Sequence, residues 1–179
     1  MSPDVLLFTA PFQEGGSNSH GLLYEALRRC TGGPVTAPLA YGPYGKPYLP
    51  ALPDLHFSIT HSGSYWMCAV SDAPVGLDLQ IFQDCDRPRL SRRFFHPAED
   101  TYLRRRDYAD FFALWTAKES YLKYTGQGIT EELTAFSTVS PEGHFPALPE
   151  LCLRLLPWQS GYALCLCTAT PGAIRLSRL

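Results

Sequence analysis

The sequence predicts an α+β chain made of two similar α+β subdomains, on three observations. Short runs with period-two alternation, DVLLFT (4–9), HFSITHS (56–62), YWMCAVS (65–71) and VGLDLQIF (75–82), read as strands. Helical periodicity occupies residues 19–31 and a longer stretch from about Pro88 to Thr125. Further strands are expected at about 134–139, 151–157, 162–168 and 173–178, so that strands and helices recur in two comparable runs. The division is expected between an amino-terminal half 1–74 and a carboxy-terminal half 75–179 of one unit. At 179 residues and 45% hydrophobic, the chain is long enough for a sizeable core.

Each element has a local cause. Ser19 before GLLYEALRRC is an N-cap candidate, with Leu22, Leu23, Ala26 and Leu27 on one face, and Thr31-Gly32-Gly33-Pro34 ends that helix. Residues 38–50 (PLAYGPYGKPYLP) are too rich in proline and glycine for a ladder or helix interior, and rigid loops of this kind carry function. In the third strand Val75, Leu77, Leu79 and Ile81 share one face, and Gly76, Asp78, Gln80 and Phe82 share the other. The helical stretch should break near His96-Pro97, and its last helix, roughly 108–125, should end at Gly126.

Charge and cysteine usage narrow the function classes. The net charge is −2, yet between Arg87 and Arg106 seven arginines face only Glu99 and Asp100, a local net of +5. The remainder is acidic, which argues against a nucleic-acid surface and for one local patch that meets an acidic partner. A solvated helical face, its arginines paired with Asp86, Asp107 and Asp110, accounts for the same charges. The chain opens MSPDVLLFTAPF, with neither a basic leader nor a cleavage-type signal, and it has no apolar run of the ~20 residues a membrane span requires. A cytoplasmic protein without membrane insertion is expected. Cys68, Cys165 and Cys167 lie in apolar alternating stretches and should behave as small hydrophobes; with Cys152 they lack the paired short spacings of a structural zinc site.

Chemistry is concentrated in Asp78 on a strand and Glu119 on a helix, with Lys118 and Lys123 flanking the glutamate. Two hard oxygen ligands plus substrate phosphate suit magnesium, and lysines beside them would neutralise a phosphate under in-line displacement. Glu119 and Lys123 are also spaced i,i+4 with glutamate first, which a helix-surface salt bridge worth ~0.3 kcal/mol explains as well. Asp78 resists that reading, because a carboxylate in an apolar strand is costly unless paired or metal-bound. His61, at a strand end, fits either a satisfied core histidine or a phosphate donor. Lys46 fits either a solvated turn or a cation held rigidly against a phosphate or base.

Three ordered blocks, GPYGKPYLPALPDLHFSITHSG (42–63), VGLDLQ (75–80) and FFALWTAKESYLKYTGQGI (111–129), resemble the Sfp-type 4′-phosphopantetheinyl transferases. The resemblance covers the middle half of the chain. It implies two α+β subdomains in a pseudo-twofold fold with coenzyme A in the cleft between them, and transfer of phosphopantetheine to a serine of an acyl or peptidyl carrier protein. It implies magnesium, with manganese as an alternative, on Asp78 and Glu119, and Glu119 as a base toward the acceptor serine. Lys118 and Lys123 match pyrophosphate contacts, Lys46 a lysine near the adenosine and His61 a phosphate-contacting histidine, while Thr60 falls where the family often has serine. Two positions depart from the pattern. Gln80 replaces the second acid of an Asp-x-Glu strand motif, leaving an amide oxygen or water in the third metal position. His20 occupies the place of an arginine that holds the 3′-phosphate of coenzyme A. The arginines Arg87, Arg89, Arg92 and Arg93 are then candidates for docking an acidic carrier, and two halves in one chain make a monomer sufficient. The rival readings are a non-catalytic homologue that binds carrier or coenzyme A, motivated by Gln80 and His20, and a metal-dependent nuclease, which the net negative charge disfavours.

Overall fold

The computed structural model describes residues 4–15, 18–128 and 131–179. Its first sheet has the order β4-β5-β1-β9, from β1 (Val5–Pro11), β4 (His56–Ser62), β5 (Tyr65–Ser71) and β9 (Ile174–Arg178). Its second, from β6 (Val75–Ile81), β7 (Cys152–Leu155) and β8 (Tyr162–Thr168), has the order β6-β8-β7. The first sheet is not drawn from the amino-terminal half alone, because β9 returns to pair in parallel with β1. Mixed helices and sheets make this an α+β fold.

Apolar alternation sets the layers. Leu23, Ala26 and Leu27 of α1 (Ser19–Thr31) bury against Phe8, Ala10, Trp66 and Cys68 on one face of the first sheet. On the other face Val5, Leu7, Met67 and Ala69 share a cluster with Val75, Leu77, Leu79, Leu164 and Leu166 of the second sheet. Each such side chain, fully buried, contributes roughly 1.5–3 kcal/mol. The far side of the second sheet carries Cys165 and Cys167, packed with Ala117 of α4 (Phe111–Thr125). Helices α2 (Arg87–Phe94) and α3 (Pro97–Arg104) pack beside α4 around Phe95, Leu103 and Phe111.

Where the two sheets meet edge to edge, side chains replace a backbone ladder. The hydroxyls of Ser58, Thr60 and Ser62 on β4 accept hydrogen bonds from the backbone N–H groups of Leu77, Leu79 and Ile81 on β6, at 2.9, 3.1 and 2.9 Å. The two strands therefore keep a fixed offset although they belong to different sheets.

Three local expectations are corrected. The N-cap of α1 is Asn18, whose side chain accepts from Gly21 N–H at 2.9 Å. The Ser19 hydroxyl is occupied by the Trp66 indole N–H instead. Residues 38–50 do form a ladder, a small one: β2 (Ala40–Tyr41) pairs with β3 (Pro47–Tyr48). A two-stranded ribbon is all edge, so Pro47 lacks no obligatory donor. Residues 134–139 make no strand; a 3-10 turn (Glu131–Thr134) leads into irregular backbone, two of whose polar groups are taken up by buried side chains. Thr138 N–H donates to Glu99 and the Phe136 carbonyl accepts from Lys118, at 2.7 Å each. The last residue of the third motif block, Ile129, lies outside the described residues.

Candidate active site

Helix α4 crosses β6 at Gly76, and this crossing builds the site. A β-carbon at Gly76 would collide with the Ser120 carbonyl oxygen and the Tyr124 backbone nitrogen, so the helix backbone lies directly on the strand. Asp78 is two residues along the strand from Gly76, on the same face, and Glu119 precedes Ser120 on the helix. The close approach puts both carboxylates, each 7% exposed, in the wall of one cleft of about 320 Å³. Thr60, His61, Gln80, Trp115 and Lys123 line the same cleft.

The charges in this cleft are only partly balanced. Asp78 Oδ1 accepts from Lys123 Nζ at 2.7 Å and from the Thr60 hydroxyl at 3.2 Å. Lys123 thus pairs with Asp78 across the cleft, and its ammonium also reaches the Ile59 carbonyl at 3.4 Å. Burial pushes the Asp78 carboxyl above its ordinary range, against the pull of Lys123 and Thr60. Glu119 is pushed up to about 7 by burial and then by the Asp78 charge, with Lys123 opposing. Its Oε1 is buried without a hydrogen-bond partner.

An orphaned, buried carboxylate oxygen beside a second carboxylate is costly by itself and is relieved by a cation. Among the described residues no group of three or more His, Cys, Asp and Glu side chains gathers at a metal-binding spacing, so the carboxylate donors here are two. Magnesium accepts one or two carboxylates and completes its shell with water and substrate phosphate, which this donor set fits. Gln80 is half-buried on the same wall, with Nε2 donating to the Ile81 carbonyl at 2.9 Å. Its Oε1 is the atom that a ligand role would require.

A second cleft of about 280 Å³ shares Ile59, Glu119 and Lys123 with the first and runs on to Tyr44, Lys46 and Gly126. The Lys46 ammonium is turned inward there, donating to the Val75 and Tyr124 carbonyls at 3.2 Å each. Burial lowers this lysine to about 8. It binds one of the last carbonyls of α4, where a cation is favoured by the helix dipole.

The other expected contacts divide. His61 is exposed on the cleft wall, stacked on Phe12 with centroids 4.4 Å apart. Thr60 is 5% exposed, with its oxygen used by Leu79 N–H and its proton directed at Asp78. His20 is exposed in the first turn of α1, 3.4 Å from the Tyr41 hydroxyl, and lines neither cleft. Lys118 requires a correction: it is 0% exposed and donates to Glu99 Oε2 and the Phe136 carbonyl at 2.7 Å each, away from the cleft. Adjacent helix positions lie ~100° apart, so Lys118 and Glu119 cannot share one wall. Trp115 and Gly76 were missed by sequence reasoning, yet both had a signal. Trp115 stands i−4 from Glu119, and Gly76 lies inside a strand pattern, where glycine marks close backbone approach. A further depression of about 1250 Å³, between α3 and residues 137–149, contains neither Asp78 nor Glu119.

Among the described residues, no helix is long and apolar enough to cross a membrane. The chain is 38% identical over 144 residues to a 4′-phosphopantetheinyl transferase of Bacillus subtilis, covering 72% of this chain and 61% of that relative. It is 33% identical over 142 residues to 4′-phosphopantetheinyl transferase Sfp of Bacillus subtilis strain 168, with the same coverage of 72% and 61%. The chain thus spans about three-fifths of the length of these relatives. A third relative, 4′-phosphopantetheinyl transferase AcpT of Salmonella typhi, is 29% identical over 175 residues, covering 94% of this chain and 85% of the relative. A family model described as the 4′-phosphopantetheinyl transferase superfamily matches residues 74–167, the span that contains Asp78, Gly76, Glu119 and Lys123. On that match, the chain belongs to the 4′-phosphopantetheinyl transferase superfamily.

Proposed function

We propose that this chain transfers the 4′-phosphopantetheine group of coenzyme A to a serine of an acyl or peptidyl carrier protein and releases adenosine 3′,5′-bisphosphate. The observation that carries the reading is the meeting of Asp78 and the orphaned Glu119 in one cleft with Lys123 between strand and helix. The carrier serine oxygen attacks the phosphorus that bears the pantetheine, the bond from that phosphorus to the bridging oxygen breaks, and the bisphosphate leaves with that oxygen. Glu119, in the wall of the cleft with an unpartnered Oε1, takes the serine proton. Lys123 supplies a positive charge beside the reacting phosphate, and His61 adds a donor at the open end of the cleft. Asp78 and Glu119 would hold a magnesium ion, which when bound supplies charge neutralisation on the phosphate oxygens. Gln80 would fill a third position, directly or through water.

The second cleft, with Tyr44 and Lys46, suits the adenosine end of coenzyme A. Arg89, Arg92 and Arg93 are exposed on α2 and suit an acidic carrier, Arg93 lying over the Phe94 ring, while Arg87 is half-buried over the Phe112 ring. Both carboxylates come from one chain, so a monomer suffices. The six cysteines are all unpaired, which fits a reducing, cytoplasmic setting. A non-catalytic role in holding carrier or coenzyme A is favoured by one observation, the placement of His20 outside both clefts.

One assay separates the two readings: a carrier incubated with coenzyme A, magnesium and this protein, followed by mass spectrometry. Transfer adds about 340 Da, the mass of one phosphopantetheine. Glu119→Gln and Asp78→Asn should each lower the rate by roughly 10²-fold or more. Tight binding of carrier or coenzyme A with no mass gain would establish the non-catalytic role instead.

A further inference from the structure

Glu119 lines the cleft, whereas the preceding residue, Lys118, reaches into a fully buried site beside α3. There Glu99 is 0% exposed and accepts four hydrogen bonds. Oε2 receives His96 N–H at 2.9 Å and Lys118 Nζ at 2.7 Å, and Oε1 receives Thr138 N–H at 2.7 Å and the Thr138 hydroxyl at 2.9 Å. Lys118 also donates to the Phe136 carbonyl at 2.7 Å and lies 4.0 Å above the centre of the Phe136 ring. One saturated ion pair therefore ties the first turn of α3, the middle of α4 and residues 136–138.

An ion pair of this kind does something that apolar packing does poorly. A leucine tolerates a rotated helix, whereas a buried carboxylate with all its lone pairs used does not, because each lost bond leaves an unsatisfied charge. Fixing the azimuth of Lys118 fixes that of Glu119. The cleft side supplies no such restraint: Glu119 Oε1 has no partner, and the Asp78 carboxylate opposite repels it.

We infer that Glu99, Lys118 and Thr138 are positioning residues that hold Glu119 in its reactive orientation without touching coenzyme A. The inference rests on the transfer reaction proposed above. Its test compares Lys118→Met with the unaltered chain in kcat and KM for transfer and in the dissociation constant for coenzyme A. Leu27→Ala, on the buried face of α1, serves as a control for lost stability. A positioning role predicts that kcat falls at least about tenfold, since misplacement of ~1 Å costs up to 10²-fold. The coenzyme A dissociation constant should stay within about twofold, and the control should keep its kcat. Coenzyme A binding weakened by about tenfold would make Lys118 a phosphate contact and overturn the inference, as would an unchanged kcat.

If Lys118→Met does not fold, Thr138→Val and Thr138→Ser decide the matter. Loss of the hydroxyl should lower kcat severalfold, and serine, which keeps it, should restore the unaltered rate; a Val variant as fast as the parent overturns the inference. Absence of transfer by the unaltered chain would overturn the functional reading and this inference together. Transfer that is indifferent to these substitutions overturns the inference alone.

Discussion

Glu119 destabilises the protein that it equips. In the unfolded chain its carboxyl ionises near 4.5, and in the folded chain near 7, because burial and Asp78 disfavour the charge. Between those values the folded state holds a proton that the unfolded state has lost, so stability falls as pH rises through this window. Above about pH 7 the full cost is present, of the order of 3 kcal/mol. Glu119→Gln, with no charge to bury, should therefore unfold at higher urea than the parent at pH 8 in chelator, by roughly 1–3 kcal/mol. The difference should shrink toward zero near pH 4. Equal stability of the two proteins at both pH values would show that the carboxylate is not held in a charge-hostile place. Sequence singled out Lys123, which lies in the cleft, but not its partner: spacing suggested Glu119 one turn back, and tertiary packing supplied Asp78 at 2.7 Å.

At the scale of elements, the contact of α4 with β6 decides whether the two carboxylates meet. Gly76→Ala should lift the helix from the strand, cost at least about 2 kcal/mol in urea unfolding and remove transfer activity. A Gly76→Ala protein that is as stable and active as the parent would mean that the crossing is looser than described. Strands β4, β5 and β6 were readable because each alternates and because Gly63, and then Asp72-Ala73-Pro74, turn the chain between them. Helix α4 was readable from its length and from Gly126, which takes the left-handed conformation that ends it, at φ 76°. What the expectation of a strand at 134–139 could not reveal is that Thr138 N–H and the Phe136 carbonyl find buried side chains instead of a neighbouring strand. Nothing in local sequence announces that Glu99, 39 residues earlier, accepts from Thr138. The same blindness applied to Lys118, since a helix buried on nearly every side shows no clear apolar face from which to infer direction.

At the scale of the molecule, charge is divided between an acidic body and the basic run that starts at Arg87. Part of that run is spent internally, with Arg104 on Asp100 at 3.1 Å and Arg106 near Asp110 at 3.8 Å. Of the rest, Arg89, Arg92 and Arg93 are exposed on α2, the surface proposed above to dock an acidic carrier. Arg92→Glu combined with Arg93→Glu should raise KM for the carrier by about tenfold or more at low salt and leave coenzyme A affinity unchanged. Equal losses toward both substrates would contradict docking on α2. The α+β class and the cleft acids were readable from sequence, whereas the return of β9 to the first sheet was not, because strand pairing across the whole chain leaves no local mark.

Transfer by this cleft requires Asp78 and Glu119 to serve a single cation. A calorimetric titration of manganese into the full chain, alone and with coenzyme A, measures this directly. One site per chain is predicted, with affinity reduced at least about tenfold in Asp78→Asn and in Glu119→Gln. Unchanged affinity in either variant, while the protein remains folded, would contradict it.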